Sequence, residues 1–407
     1  MKVYLQNQKL ISILSAIVFI CGMVVIWDVY YSPFRTAYFT LLTLLFGAAV
    51  CLYILINRDI RLWQFIREEL TTFAIPMILV TFVSCLGALL YYHVSLKPDI
   101  TQSIRRCAFY GCSFLIAYFA VRQYRHRAPL YIIAAGLINY IAVFVEYVSR
   151  GGWGILLHFQ NTFVDGISLE VHNLTYGLAL FFLYFLINRS YTKKVRITVC
   201  LLLAVCIFLG NKRAAYLGLA AGLAVYFLFG KLLKIRRQCV PQILCGCLAV
   251  FPFFVVWMIH SGLYDALISK FHVNDMRRGE IWNLFAGDYT LSPFYVGRAL
   301  SYTDNVMGRP ETLKVLGFTE GTMIHNDLLK TYIGWGAIPT LYYWINFFNL
   351  RVARFYKRHQ AEAVWKYLAI ACFTIVIYCF DNMLVAINYN ICFFTVFLLL
   401  EQENDER

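Results

Sequence analysis

Apolar residues run along this chain in long stretches separated by short clusters of charge. A helix needs about 20 mostly apolar residues to cross the hydrocarbon of a bilayer. Stretches approaching that length lie at Leu10–Trp27, Ala37–Ile56, Thr72–Tyr92, Cys107–Val121, Pro129–Val148, Asn173–Ile187, Val195–Leu209, Ala214–Phe229, Val240–Ile259, Leu328–Leu350, Val364–Phe380 and Met383–Leu400. The pattern predicts an all-α polytopic membrane protein of about twelve spans. Spans one to nine occupy residues 1–260, a long polar-rich segment 261–327, and spans ten to twelve with a tail 328–407. The first run has Lys2 and Lys9 ahead of it and no small-x-small cleavage site behind it. It reads as an anchor and not as a removed signal peptide.

Composition narrows the class. Hydrophobic residues make up 61% of the 407 and charged residues only 14%, with a mean hydropathy of +0.65. Soluble chains carry roughly a quarter charged residues, so a soluble enzyme, a disordered regulator and a secreted disulfide scaffold are excluded. The net charge of +14 would suggest nucleic acid on a soluble protein, but on a membrane protein it reports topology. With a cytoplasmic N-terminus, one side collects 22 of the 36 basic residues against eight acids; the other holds 14 of each. The whole excess lies on the cytoplasmic side, and no nucleic-acid partner is needed. Both termini are then cytoplasmic, and 261–327 is external. Lys97, Arg105 and Arg106 fall on the outer side, against the trend, with the two arginines at the start of span four. The thirteen cysteines lie almost entirely in apolar runs without a paired CxxC pattern, so neither a zinc site nor a disulfide framework is expected.

Loop lengths point outward. The cytoplasmic loops are too short for a nucleotide-binding domain, and the chain has no Walker or dinucleotide glycine motif. The outer side carries the long segment Ser261–Asp327 and a shorter one, Ser149–His172. Long loops in compact proteins are usually functional. An outward-facing synthetic enzyme has no ATP or sugar nucleotide to draw on and needs an activated donor carried by lipid. The competing reading is a transporter whose loop only caps it.

Five places carry candidate chemistry. Asn211-Lys212-Arg213 forms the apex between spans seven and eight. Cations at the hydrocarbon edge are costly unless they snorkel or meet an anion; a guanidinium fork on a diphosphate is the functional reading for Arg213. Met276-Arg277-Arg278-Gly279-Glu280-Ile281-Trp282 suits a phosphate-and-sugar site, and equally an amphipathic helix on the membrane surface. His325-Asn326-Asp327 enters span ten, where a neutral imidazole can accept a proton from a sugar hydroxyl or serve only as a polar anchor. His172-Asn173 repeats that arrangement before span six, and Asp381-Asn382 places a carboxylate in the outer hairpin between the last two spans.

The order of these pieces resembles the O-antigen polymerase and O-antigen ligase superfamily. The basic turn reads Gly-Asn-Lys-Arg-Ala-Ala-Tyr-Leu-Gly (210–218), the long loop carries Arg278-Gly-Glu-Ile-Trp282, and His325-Asn-Asp-Leu-Leu opens a span continuing Ile333-Gly-Trp-Gly-Ala-Ile338. The resemblance covers about 200–350 by motif and the remainder by span count. It implies a glycosyltransferase-C-like helical bundle in a bacterial cytoplasmic membrane. The activity implied is metal-independent and cofactor-free transfer of a glycan from a polyprenyl-diphosphate donor to an acceptor hydroxyl at an outward site. The bilayer, lipid-linked donor and acceptor, and other polysaccharide-assembly proteins would be its partners. By position, Arg213 and Arg278, with Lys212 and Arg277 beside them, would hold the diphosphate. His325 would be the base, with Glu280 second, and His172, Asn326 and Asp381 would support the acceptor. Where the family often shows Gly-x-Gly in the loop, this chain has Gly297-Arg298-Ala299. Polymerisation of oligosaccharide repeat units is the expected activity; transfer to another acceptor, as in a ligase, shares every motif. A lipid-glycan flippase or transporter, and a scaffold of an envelope-assembly complex, are the readings from other classes.

Overall fold

The computed structural model describes residues 2–27, 36–56, 71, 74–151, 172–233, 239–272, 275, 277–318, 323–358 and 361–405. Helices account for most of them, and the single β pairing among the described residues is the bridge Val296–Gly336. The chain divides into two compact units, residues 1–58, 112–226 and 386–407 forming one, and 59–111 and 227–385 the other.

In the first unit, α1 (Lys2–Trp27), α2 (Thr36–Ile56), α5 (Ala128–Gly151), α6 (His172–Ile187), α7 (Lys193–Gly210), α8 (Arg213–Ala224) and α18 (Ile387–Asp405) pack together with the C-terminal part of α4 (Thr101–Tyr124). The centre is α6, buried from Leu174 to Tyr184 apart from Phe182 and enclosed by α5, α7, α8 and α18. Close approach explains its small residues. A side chain at Gly177 would meet Trp27 and Cys392, and one at Gly210 would meet Thr175. The Asn139 amide donates across to the Val24 carbonyl at 3.0 Å, and the Tyr140 hydroxyl to Cys206 at 2.8 Å. These side chains give buried backbone oxygens a second partner inside an apolar bundle.

The second unit is built on α3 (Ala74–Tyr92), the first turns of α4, α9 (Cys239–His260) and α17 (Ala361–Phe380). Four short helices follow α9: α10 (Leu263–Phe271), α11 (Arg278–Asn283), α12 (Tyr302–Met307) and α13 (Pro310–Leu316). They lead into α14 (Asp327–Trp335) and α15 (Ala337–Ile345), and α16 (Arg351–Arg358) precedes α17. The described residues of 261–327 are therefore folded, with helices of their own.

A helix coincides with each of the apolar runs, and five helical stretches are long and apolar enough to cross a membrane: Ala74–Tyr92, Leu96–Val145, Arg213–Leu232, Cys239–His260 and Ala361–Phe380. Runs four and five lie on one helical path of 50 residues, turned at Arg125, whose φ is +50°. The expected tenth span is the chief correction. Leu328–Leu350 is not one helix but breaks between Trp335 and Ala337, at Gly336 with φ +86°. The break is filled by the loop backbone: the Ala337 amide donates to Tyr295 and the Arg298 amide to Ile333, at 3.0 and 2.9 Å. A side chain at Gly336 would strike Tyr295 and Gly297. Glycine is there because two backbones touch. The last expected span likewise starts at Ile387, later than Met383, because 381–386 form a turn.

Candidate active site

The turn after α17 and the entry to α14 meet in the second unit. His325 is the last residue but one before α14 and holds φ +49°, the left-handed region that non-glycine residues rarely adopt. Its neighbours fix it there. The Trp282 indole N–H of α11 donates to the Ile324 carbonyl at 2.7 Å. Asn326 caps α14, its Oδ1 accepting from the Leu329 amide at 2.9 Å. Asp327 Oδ2 accepts from the Leu384 amide, which ties the 381–386 turn to the start of α14.

These contacts bring His325 Nδ1 to 3.2 Å from Asp381 Oδ1. The Asp381 side chain is 7% exposed and that of His325 31%. Asp381 Oδ1 also accepts from the Asn382 amide at 2.8 Å. Against an ionised carboxylate, which only accepts, a neutral imidazole holds its proton on Nδ1 and leaves the Nε2 lone pair outward. This is the division of roles by which a carboxylate orients an imidazole base. Around the pair, Asn326 Nδ2, Asp327 Oδ1 and both polar atoms of the Asn382 side chain are buried without a hydrogen-bond partner among the described residues.

Arg278, the first residue of α11, lies over the Phe380 ring with its guanidinium 5.8 Å from the centroid, one residue from Asp381. Its side chain is half-buried and has no ion pair or hydrogen bond among the described residues. Burial pushes the nearby Tyr264 hydroxyl up to about 12, Asp275 adding to the effect and Arg278 opposing it. Arg277 is differently occupied. Its Nε and Nη2 donate to Glu280 Oε2 at 2.9 and 2.7 Å, Nη2 also to the Leu316 carbonyl at 2.6 Å, and the guanidinium covers Phe318. Glu280, the second candidate base, is thus paired with Arg277 and exposed, and it does not orient Arg278.

The structure therefore assembles His325, Asn326, Asp381 and Arg278 and sets Arg277 and Glu280 aside as a pair. Lys212 and Arg213 stand at the turn between α7 and α8, in the first unit, Arg213 exposed. His172 begins α6, but its side chain, and the segment 152–171 before it, lie outside the described residues. Where the loop reads Gly297-Arg298-Ala299, Ala299 holds φ +71° and is fully buried.

A buried charge cluster escaped the sequence reading. Lys330, 1% exposed on α14, donates to both oxygens of Asp304 at 3.0 and 2.8 Å. Arg106 of α4 pairs with the same carboxylate. Burial alone would raise the Asp304 carboxyl; Arg106 and Lys330 together hold it below the usual range. At Asp327 burial wins and pushes the carboxyl up to about 7, the Lys330 charge opposing and Asp381 adding. Lys330 inside an apolar run was a visible signal, since a cation there needs a partner; Arg106 stood out only as a basic residue against the charge trend, and nothing local marked Asp304. No group of three or more His, Cys, Asp and Glu side chains placed to hold a metal ion occurs among the described residues. No family model, curated protein or solved structure matches the chain.

Proposed function

We propose that the chain is a membrane glycosyltransferase that polymerises oligosaccharide repeat units carried on polyprenyl diphosphate, at the outer face of a bacterial cytoplasmic membrane. The observation that carries the reading is the His325–Asp381 pair beside the half-buried Arg278, at the entry to α14 where the long loop segment ends. An anchor histidine needs neither a buried carboxylate nor a left-handed backbone.

In the proposed reaction, His325 Nε2 takes the acceptor hydroxyl proton as the oxygen attacks the anomeric carbon. The new glycosidic bond forms while the bond from that carbon to the diphosphate oxygen breaks, and polyprenyl diphosphate leaves with the electron pair. Asp381 orients the imidazole and stabilises the imidazolium. Arg278 binds the diphosphate as a fork, and a guanidinium fits this role because it stays charged and matches two oxygens at once. Lys212 and Arg213 stand in the first unit and are given no part in this step. The twelve spans are drawn from the apolar runs and the cytoplasmic termini from the loop charges, and both belong to the same proposal.

The decisive experiment incubates the purified protein in proteoliposomes with lipid-linked repeat unit and resolves products by length. A ladder lost in His325→Ala with the fold retained supports the reading. Movement of intact substrate between leaflets without chain growth establishes a flippase instead.

A further inference from the structure

Helix α10 has three faces of different character. A helix advances about 100° per residue, so Leu263, Leu267 and Phe271 fall in one row. They are 36%, 38% and 66% exposed, and the described residues leave that row uncovered. The second face is packed: Tyr264 lies against Trp282 with centroids 4.6 Å apart, and Asp265 Oδ2 accepts from the Asn283 amide at 2.7 Å. The third face holds Ala266, Ser269 and Lys270, all exposed.

The chain enters α10 from a helix that has an exposed apolar face of its own. On α9, Ile243, Val250, Phe254 and Trp257 share a face and are all exposed, on a helix long and apolar enough to cross a membrane. Trp257 lies one turn before the end of α9, where tryptophan marks the membrane–water boundary. Two residues on, Gly262 takes φ +73° and starts α10 in a new direction. Lys270 stands at the rim of the row with its Nζ 6.0 Å from the Phe271 ring centroid, as a snorkelling lysine does beside a buried aromatic.

We infer that α10 is an interfacial helix, its Leu263–Leu267–Phe271 row immersed in the headgroup–acyl boundary of the bilayer. Short amphipathic helices with an aromatic on the apolar face and lysine at the rim bind in this way. The consequence for the site rests on the proposed function: α10 carries α11 on its packed face, and α11 begins with Arg278. The two helices meet closely, since a Cβ at 279 would stand 2.5 Å from Asp265 Oδ1. The bilayer surface thereby sets the height of Arg278, at the depth where a lipid-linked diphosphate lies.

A nitroxide coupled to a genetically encoded keto residue, which leaves the native cysteines in place, tests this in vesicles of phosphatidylethanolamine and phosphatidylglycerol. Positions 267, 271 and 269 are labelled in turn, with 254 on α9 as the lipid reference. Collision rates are measured with oxygen, which partitions into lipid, and with a water-soluble nickel chelate. The oxygen-to-nickel ratio at 267 and 271 is expected to match 254 and to exceed 269 severalfold. If 267 and 271 behave as 269, the helix stands in water and the inference fails. If they are shielded from both reagents, protein covers the row, which equally overturns it. None of these readings depends on glycosyl transfer, so loss of the functional proposal would leave the test intact.

Discussion

Gly297 is where the long loop segment presses on the helix break, and Gly297→Ala is the sharpest probe of that contact. A Cβ there would stand 2.5 Å from the Gly334 carbonyl carbon, and closer still to the Gly334 oxygen and the Trp335 carbonyl carbon. Real Cβ atoms essentially never come within 3.0 Å of such atoms. The obstruction is backbone on both sides, so no side chain can rotate away. Relief requires separating the strands of chain that the Arg298–Ile333 and Ala337–Tyr295 hydrogen bonds hold together. Overpacking costs about 1–3 kcal/mol where neighbours adjust, and each lost backbone bond adds about 1 kcal/mol. The expected destabilisation is about 3–5 kcal/mol, a large part of an ordinary stability. Gly287→Ala, in the same segment with nothing within 4 Å of its Cβ, is the matched control and should change stability by less than about 0.5 kcal/mol. Thermal unfolding of the detergent-solubilised variants gives the comparison. If Gly297→Ala melts with the wild type, 295–298 do not pack into the break, and the account of α14 and α15 given above is wrong.

Four other outcomes are expected. Asp381→Asn should lower chain growth about 10²–10⁴-fold, close to the loss in His325→Ala, with the double variant no worse than either because the two act as a unit; additive losses would separate them. Arg278→Lys should raise the KM for lipid-linked donor nearly as far as Arg278→Ala while unfolding as the wild type does; full activity in the lysine variant would reduce its role to general charge. Lys330→Met leaves the buried Asp304 to Arg106 alone and should cost about 3 kcal/mol, partly restored by Asp304→Asn in a double-mutant cycle. Asp327 protonates near pH 7 in the folded chain but near about 3.9 when unfolded, so the folded state binds more protons in between. Stability should fall as pH rises from about 4 to about 7, and Asp327→Asn should flatten that slope; an unchanged profile would refute the assignment.

The helices were legible because a 3.6-residue period is not needed to see them: long apolar runs between charged turns suffice in lipid. The break inside Leu328–Leu350 was spelled out by Gly334-Trp335-Gly336 yet stayed hidden, because its cause is the backbone of residues 295–298, some forty positions away. His325, Asp381 and Arg278 were each nominated by residue type and membrane position. Their grouping was not readable, since Asp381 follows His325 by 56 residues and no local pattern links them. Arg277 and Glu280 stood in the same motif as Arg278, and only side-chain geometry shows that they satisfy each other. Lys330 was passed over as part of an apolar run, although its burial required the partner that Asp304 supplies.

The site gains its rigidity from contacts that do not touch a substrate. Residues 324–327, at the entry to α14, are held by the Trp282 indole, the Asn326 cap, the Asp327 link to the 381–386 turn, and the His325–Asp381 contact itself. Behind them, Lys330 joins α14 to α12 through Asp304, and Arg106 joins both to α4. A left-handed non-glycine backbone costs about 1–3 kcal/mol and persists only where the surroundings over-determine it. His325 is such a position. A polar anchor at a membrane surface gains nothing from that strain, because any side chain reaching water would serve. A proton acceptor gains a fixed Nε2, and displacement at an anomeric carbon rewards a base held to within a fraction of an ångström. The strain, the buried carboxylate and the charge cluster that braces α14 all favour His325 as a working group over an ornament of the interface.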